Sequence, residues 1–176
     1  MKSHFQMRFL GYFLSKKRGN AGFTLIELLV VILMISILSA IALPTLLSRA
    51  NKARQVEAKL YVGAMNRGQQ AYYLENAVFT ESIDELGVGI QAQTENYLYK
   101  INIAPSNTVV TDNGISLKPA LKSYVGVPYL KTVLTTAGST ESVTITILCE
   151  SPAAGIGTLP GETMNSASCP TGWIPL

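Results

Sequence analysis

The chain pairs one long stretch that is apolar on every side with later segments whose apolar positions recur at regular steps. From Gly22 to Leu47 it reads GFTLIELLVVILMISILSAIALPTLL, and between Arg18 and Arg49 it carries one charge, Glu27. Residues 23–43 number 21; at about 1.5 Å per helical residue they reach roughly 31 Å, the thickness of a bilayer core. A membrane-spanning helix is the element this predicts. Past Pro44, residues Leu46, Ala50, Ala53, Val56, Leu60, Ala64, Ala71 and Leu74 recur at three- and four-residue steps, while Arg49, Lys52, Arg54, Lys59 and Arg67 lie mostly off that stripe. One helix is therefore expected from about Phe23 to about Glu75, amphipathic in its second half. Pro44 cannot donate to the carbonyl of Ala40 and its ring crowds that turn, which predicts a kink or local weakening. Gly63 and Gly68 each cost about 1 kcal/mol against Ala in a helix; close approach to a following sheet and simple tolerance account for them equally well.

The period then changes. Asn76 to Glu95 is polar and broken by Gly87 and Gly89, a connecting loop with a short helical option at Glu81–Leu86. Tyr97, Tyr99, Ile101 and Ile103 alternate with Leu98, Lys100 and Asn102, which predicts a strand with one apolar, aromatic face. Thr111-Asp112-Asn113-Gly114 has the composition of a turn between Thr108–Val110 and Ile115–Leu117, a hairpin. Tyr129–Thr136 and Ser142–Cys149 flank the turn-like Ala137-Gly138-Ser139-Thr140. In the second of these Val143, Ile145, Ile147 and Cys149 share a face that is expected to pack on the apolar stripe of the helix. The fold class is α+β: a long N-terminal helix, membrane-spanning first and amphipathic after, packed on an antiparallel β-sheet. After Cys149 the chain turns to Ser, Pro, Gly and Ala, with few strand formers before Trp173.

Charge changes the picture at one end. Lys2, Arg8, Lys16, Lys17 and Arg18 precede Gly22 with no acidic residue among them. The formal charge of +3 thus belongs to the leader; without these residues nine basic face eleven acidic ones, near −2. Basic residues flanking a span stay cytoplasmic, so they set orientation. Arg49, Lys52, Arg54, Lys59 and Arg67 are interrupted by Glu57 and point in several directions, a solvated or subunit-facing surface; nucleic acid is possible as a partner but not indicated, since a phosphate-tracking patch should cluster on one face. The one histidine, His4, lies in the leader. A processed chain would lack His-based acid–base chemistry, catalytic triads and most zinc sites. Phosphate-loop and dinucleotide glycine patterns have no match. No cofactor, no catalytic residue and no metal ligand is expected, and the chain reads as a non-enzyme. Cys149 and Cys169, both beyond the span, enclose 19 residues. Outside the cytoplasm a disulfide would persist and staple that loop, worth roughly 3 kcal/mol in the loop-entropy account; unlinked thiols or half a metal site are the alternatives.

The N-terminal order of features allows a plain anchor, a secretory signal cut at the small-x-small Ala40-Ile41-Ala42, or a cut before the apolar segment. Gly22 followed by Phe23-Thr24-Leu25-Ile26-Glu27 and a span resembles the prepilin signature residue for residue, and the chain is identified by it as similar to type IV pilins. The long first helix with Pro44 fits that family's layout; where members often carry a Gly in mid-span, this chain has Ser36 and Ser39. Pilins close a C-terminal segment as Cys149 and Cys169 would. Asn66-Arg67-Gly68-Gln69-Gln70 to Phe79 resembles cyanobacterial major pilins in particular.

The resemblance implies residues 1–22 as a leader peptide, 23–47 as a transmembrane and assembly helix, and 48–176 as a head domain. It implies cleavage after Gly22 and N-methylation of Phe23 by a prepilin peptidase/methylase, then anchoring in the inner membrane with a periplasmic head. An assembly platform there would polymerise identical subunits into an extracellular pilus for motility, adhesion or DNA uptake. A carboxylate within a span is costly and by default functional. Glu27 sits in the first helical turn, where the dipole favours it, and the α-amino group of a staggered neighbour would complete a charge pair that fixes register. A minor pilin or pseudopilin of a type II secretion or competence system, or a tethered binding domain that never polymerises, are the alternative functions.

Overall fold

The structure is a computed structural model that describes residues 22–134, 139–157 and 167–176. The leader up to Ala21 and half of the turn expected at Ala137–Thr140, Ala137 and Gly138, lie outside the described residues. Helix α1 spans Leu25–Asn76 and contains Pro44 without a break in helical assignment. The chain divides into two compact units, one ending at Thr45 and the other running from Leu46 to Leu176.

The second unit packs the later half of α1 on a five-stranded sheet of β1 (Tyr97–Ile103), β2 (Val110–Ser116), β3 (Tyr124–Leu134), β4 (Thr140–Glu150) and β5 (Ile174–Pro175), in sequence order. Every neighbouring pair is antiparallel. The expected α+β architecture and the aromatic face of β1 are what the structure has, with Tyr97, Tyr99 and Ile101 buried. Glu81–Leu86 forms turns rather than a short helix. Gln69 holds this loop to α1: its buried amide donates to the Thr80 carbonyl at 2.6 Å and accepts the Thr80 N–H at 3.2 Å.

The face that α1 turns to the sheet differs from the expected one. Ala58, Val62, Met65, Asn66, Gly68 and Gln69 are buried, whereas Val56, Leu60 and Leu74 of the apolar stripe stay exposed, Leu60 by 61% and Leu74 by 81%. Polar residues on the inner face hid it from a count of apolar positions. Asn66 and Gln70 donate to the carbonyls of Ile147 and Thr144, so the buried stripe mixes packing with hydrogen bonds to the sheet backbone.

Strand β4 is also reversed. Val143, Ile145, Ile147 and Cys149 were expected against the helix, yet Cys149 and Ile147 pack with Val125, Val127, Cys169 and Trp173 in a second core, while Leu148 joins the helix-side core. The C-terminal segment competes for that outer face and covers it: β5 pairs Cys149 with Pro175, and the Leu176 N–H donates to the Leu148 carbonyl at 2.9 Å. Strand β3 begins at Tyr124, earlier than the expected Tyr129, because Tyr124–Pro128 pair with β4 up to Glu150.

The hairpin expected at Thr111–Gly114 is instead the middle of β2, in register with β1 from Ser116 to Val110. The turn between β1 and β2 lies at Pro105–Thr108, with Asn107 at φ 53°. Burial explains how turn-forming residues serve a strand. The Asn113 amide donates to the Thr111 carbonyl and hydroxyl. Asp112 is fully buried, its oxygens unpartnered among the described residues, and burial pushes its carboxyl well above the usual carboxylate range, with Gln69 pulling the other way more weakly.

Two glycines on the sheet let α1 approach. A Cβ at Gly126 would lie 1.9 Å from Asn66 Oδ1, and one at Gly114 would meet Val62 Cγ2 at 2.9 Å. On the helix, Gly68 is tight against Leu86 and Val88 of the loop, not the sheet, and Gly63 has open space. We therefore expect Gly126→Ala to cost the head about 1–3 kcal/mol by overpacking. Gly63→Ala should be neutral or stabilising by up to about 1 kcal/mol from helix propensity. Urea unfolding of the two variants measures the contrast, and equal stabilities would contradict the close approach at Gly126.

Candidate assembly site

In the first unit, the helix start explains why Glu27 sits where it does. Thr24 precedes the first helical residue, and three positions on stands Glu27. The Thr24 backbone N–H donates to Glu27 Oε2 at 2.9 Å and its hydroxyl to the same oxygen at 2.7 Å, while the Glu27 N–H donates back to the Thr24 hydroxyl at 3.3 Å. This is a capping box, two orphan donors satisfied reciprocally. Thr-x-x-Glu before an apolar run is its sequence signal, present at residues 24–27 and unused in the reading from sequence. Glu27 Oε1 takes no hydrogen bond among the described residues. The carboxylate is thus held by its own chain through one oxygen and offers the other.

Beyond the cap every side chain from Phe23 to Leu47 is exposed, and an 18-residue window of the helix reaches a mean hydropathy of 2.8 with none of it buried. The Ser36 hydroxyl donates to the Ile32 carbonyl at 2.7 Å, so its polarity is turned back onto the helix. This segment can bury its surface only in a lipid bilayer or against other apolar helices.

The second unit adds two features. The outward stripe of α1, Ala53, Val56, Leu60, Ala71 and Leu74, is uncovered. Near the start of the same unit Lys52, Gln55, Lys59, Lys122 and Glu150 line a groove of about 690 Å³. Glu150 Oε2 lies 3.2 Å from Lys59 Nζ and Oε1 2.6 Å from Lys122 Nζ, and the Tyr124 hydroxyl donates to it at 3.1 Å. Burial pushes the Glu150 carboxyl up, but the bonds from Lys122, Lys59 and Tyr124 outweigh it and hold it below its ordinary value. Sequence reading missed this groove because its walls come from α1, the β2–β3 connection and β4.

Cys149 and Cys169 form a disulfide, with Cα atoms 5.7 Å apart. It ties the enclosed loop to the buried end of β4 and holds Trp173 over the outer core. Among the described residues no group of three or more His, Cys, Asp or Glu could hold a metal ion.

A capped apolar helix that continues into a helix-on-sheet head, with its C-terminal loop closed by a disulfide, is the architecture of type IV pilins and their relatives. The type IV pilin-like G and H family matches residues 55–170, and the prokaryotic N-terminal methylation motif matches residues 17–43. The chain belongs to the type IV pilin-like family. It is similar to the type IV major pilin protein PilA of Myxococcus xanthus, 28% identical over 86% of this chain and 69% of that one. The type IV wide pilus major component PilA4 of Thermus thermophilus is 33% identical over 52% of this chain and 70% of its own length. A type II secretion system core protein G of Pseudomonas aeruginosa is 29% identical over 51% and 70%. These similarities carry the family and leave the narrower cyanobacterial resemblance unaddressed.

Proposed function

We propose that this chain is a structural subunit of a type IV pilus, anchored in the membrane by its N-terminal helix and then polymerised through it. The observation that carries the reading is the uncovered apolar segment from Phe23 to Leu47, helical from Leu25, with one carboxylate at its capped start. A plain anchor needs the apolar length but has no use for the prepilin signature or for Glu27. In this reading residues 1–22 are removed by a prepilin peptidase that cuts after Gly22 and methylates Phe23. Residues 23–47 hold the subunit in the inner membrane with the head, residues 48–176, in the periplasm. A membrane assembly platform adds identical subunits to an extracellular filament, and Pro44 is the point at which the helix can bend on packing. Glu27 is the register charge, pairing with the α-amino group at Phe23 of a neighbour. The role is structural rather than catalytic.

The similarity to a type II secretion core protein G supports a second reading, a pseudopilin that assembles by the same helix. Both readings need the outward stripe of α1 to meet another subunit. We expect Leu60→Asp to leave the melting temperature of the head within a few degrees, because the side chain is exposed, and to lower the yield of sheared surface filaments several-fold. Normal yield from a stable Leu60→Asp protein would remove this half of α1 from the subunit interface.

A further inference from the structure

The second unit is electrically two-ended along α1. Its first turns carry Arg49, Lys52, Arg54 and Lys59 against Glu57, and the β2–β3 connection brings Lys122 together with Lys118, which pairs with Glu95 at 3.5 Å. At the far end Glu75, Glu81, Asp84 and Glu85 are all exposed, and no Lys or Arg occurs between Arg67 and Lys100. At about 1.5 Å per residue the helix carries roughly 35 Å of length between Lys52 and Glu75.

The basic end holds a shaped site, not only a charged surface. Lys59 and Lys122 are fixed on Glu150 at 3.2 and 2.6 Å, while Lys52, exposed on the rim of the same groove, has no ion-pair partner among the described residues. At the acidic end Glu85 is fixed by the hydroxyls of Tyr72 and Thr80, which holds the loop bearing Glu81 and Asp84 in place. We propose that the groove between α1 and the β2–β3 connection is the docking site for the acidic 75–85 segment of a second copy of this chain. Because the two surfaces differ and lie at opposite ends of the domain, the contact is head-to-tail. A heterologous contact of this kind generates an open helical filament, whereas a self-complementary patch would close a dimer. Complementary charge at this site selects the axial step between heads, suppressing wrong registers by like-charge contact.

The inference rests on the filament reading for its setting, but the contact can be tested without filaments. In detergent solution, where no bilayer holds the copies at one height, full chains bearing Lys52→Cys mixed with full chains bearing Asp84→Cys should form an oxidised dimer, and neither should do so alone. In cells that make filaments, Lys52→Glu should cut surface yield at least about tenfold, as should Glu81→Lys with Asp84→Lys. All three substitutions in one chain should restore yield, since each subunit then presents both exchanged surfaces. No mixed dimer would overturn the proposal. So would loss in the separate variants without rescue in the combined one, which would assign the groove to another anion such as a phospholipid headgroup. Absence of filaments from the unaltered chain would count against the filament reading, and the dimer result would still decide the contact.

Discussion

Glu27→Ala is expected to abolish surface filaments while membrane insertion is unharmed or improved and cleavage after Gly22 persists at least in part. Insertion loses an expensive charge. Assembly loses more, because a subunit without the carboxylate leaves its neighbour's amino terminus unpaired among apolar helices, and breaking a buried pair by removing one partner is strongly destabilising. The capping box sharpens the test. Glu27 bonds Thr24 through Oε2, a task a Gln at the same position can also perform. Glu27→Gln therefore separates the two roles: it should restore the helix start yet still lose filaments, because it carries no charge. Surface and membrane-retained amounts after shearing give the readout, on the order of a tenfold or greater shift toward the membrane for both variants. If Gln supports normal filaments, Glu27 serves as a cap alone and the register mechanism falls. Mixed with unaltered subunits, the Ala variant should lower yield in proportion to its share.

The second large effect is expected from the disulfide. Replacing both Cys149 and Cys169 with Ser should destabilise the head by roughly 3 kcal/mol, a drop of about 10 °C in melting temperature for a domain of this size. The cost falls on more than the loop. The C-terminal segment supplies Trp173 to the outer core and pairs β5 with the end of β4, and two residue pairs are too few to hold a strand without the covalent tie. Surface filaments should decrease while cleavage after Gly22 is unchanged. Native, unreduced filaments should resist alkylation at both positions; labelling of both thiols would refute the bridge in the assembled form.

Much of the architecture was legible because it rests on long periodic signals. The apolar run and the three- and four-residue steps after it predict α1 close to its observed limits, and the alternation at Tyr97–Ile103 predicts β1. What failed were arguments about which face is buried. Asn66 and Gln69 sit on the inner face of α1 because their amides bond backbone carbonyls of the sheet and loop, and a count of apolar residues assigns them to solvent. The same count placed Leu60 and Leu74 inside, where they would have no reason to face a neighbour. In β2 the residues Asp112, Asn113 and Gly114 have turn chemistry, but β1 and β3 on either side supply a ladder that overrides it, and the small Gly114 admits Val62. Of the site, the prepilin signature, Glu27 and both cysteines could be read directly. The groove could not, since Lys52 and Glu150 are joined only by the fold.

The central claim is that the apolar helix is kept on the mature chain, with its amino terminus at Phe23, and becomes the core of a filament. The most direct measurement is the N-terminal sequence and intact mass of the protein in filaments sheared from the cell surface. The account predicts N-methylated phenylalanine at position 23, the span intact, and a mass reduced further only by the hydrogens lost in one disulfide. A mature chain beginning at Leu43, cut at the small-x-small site with the span gone, would contradict it.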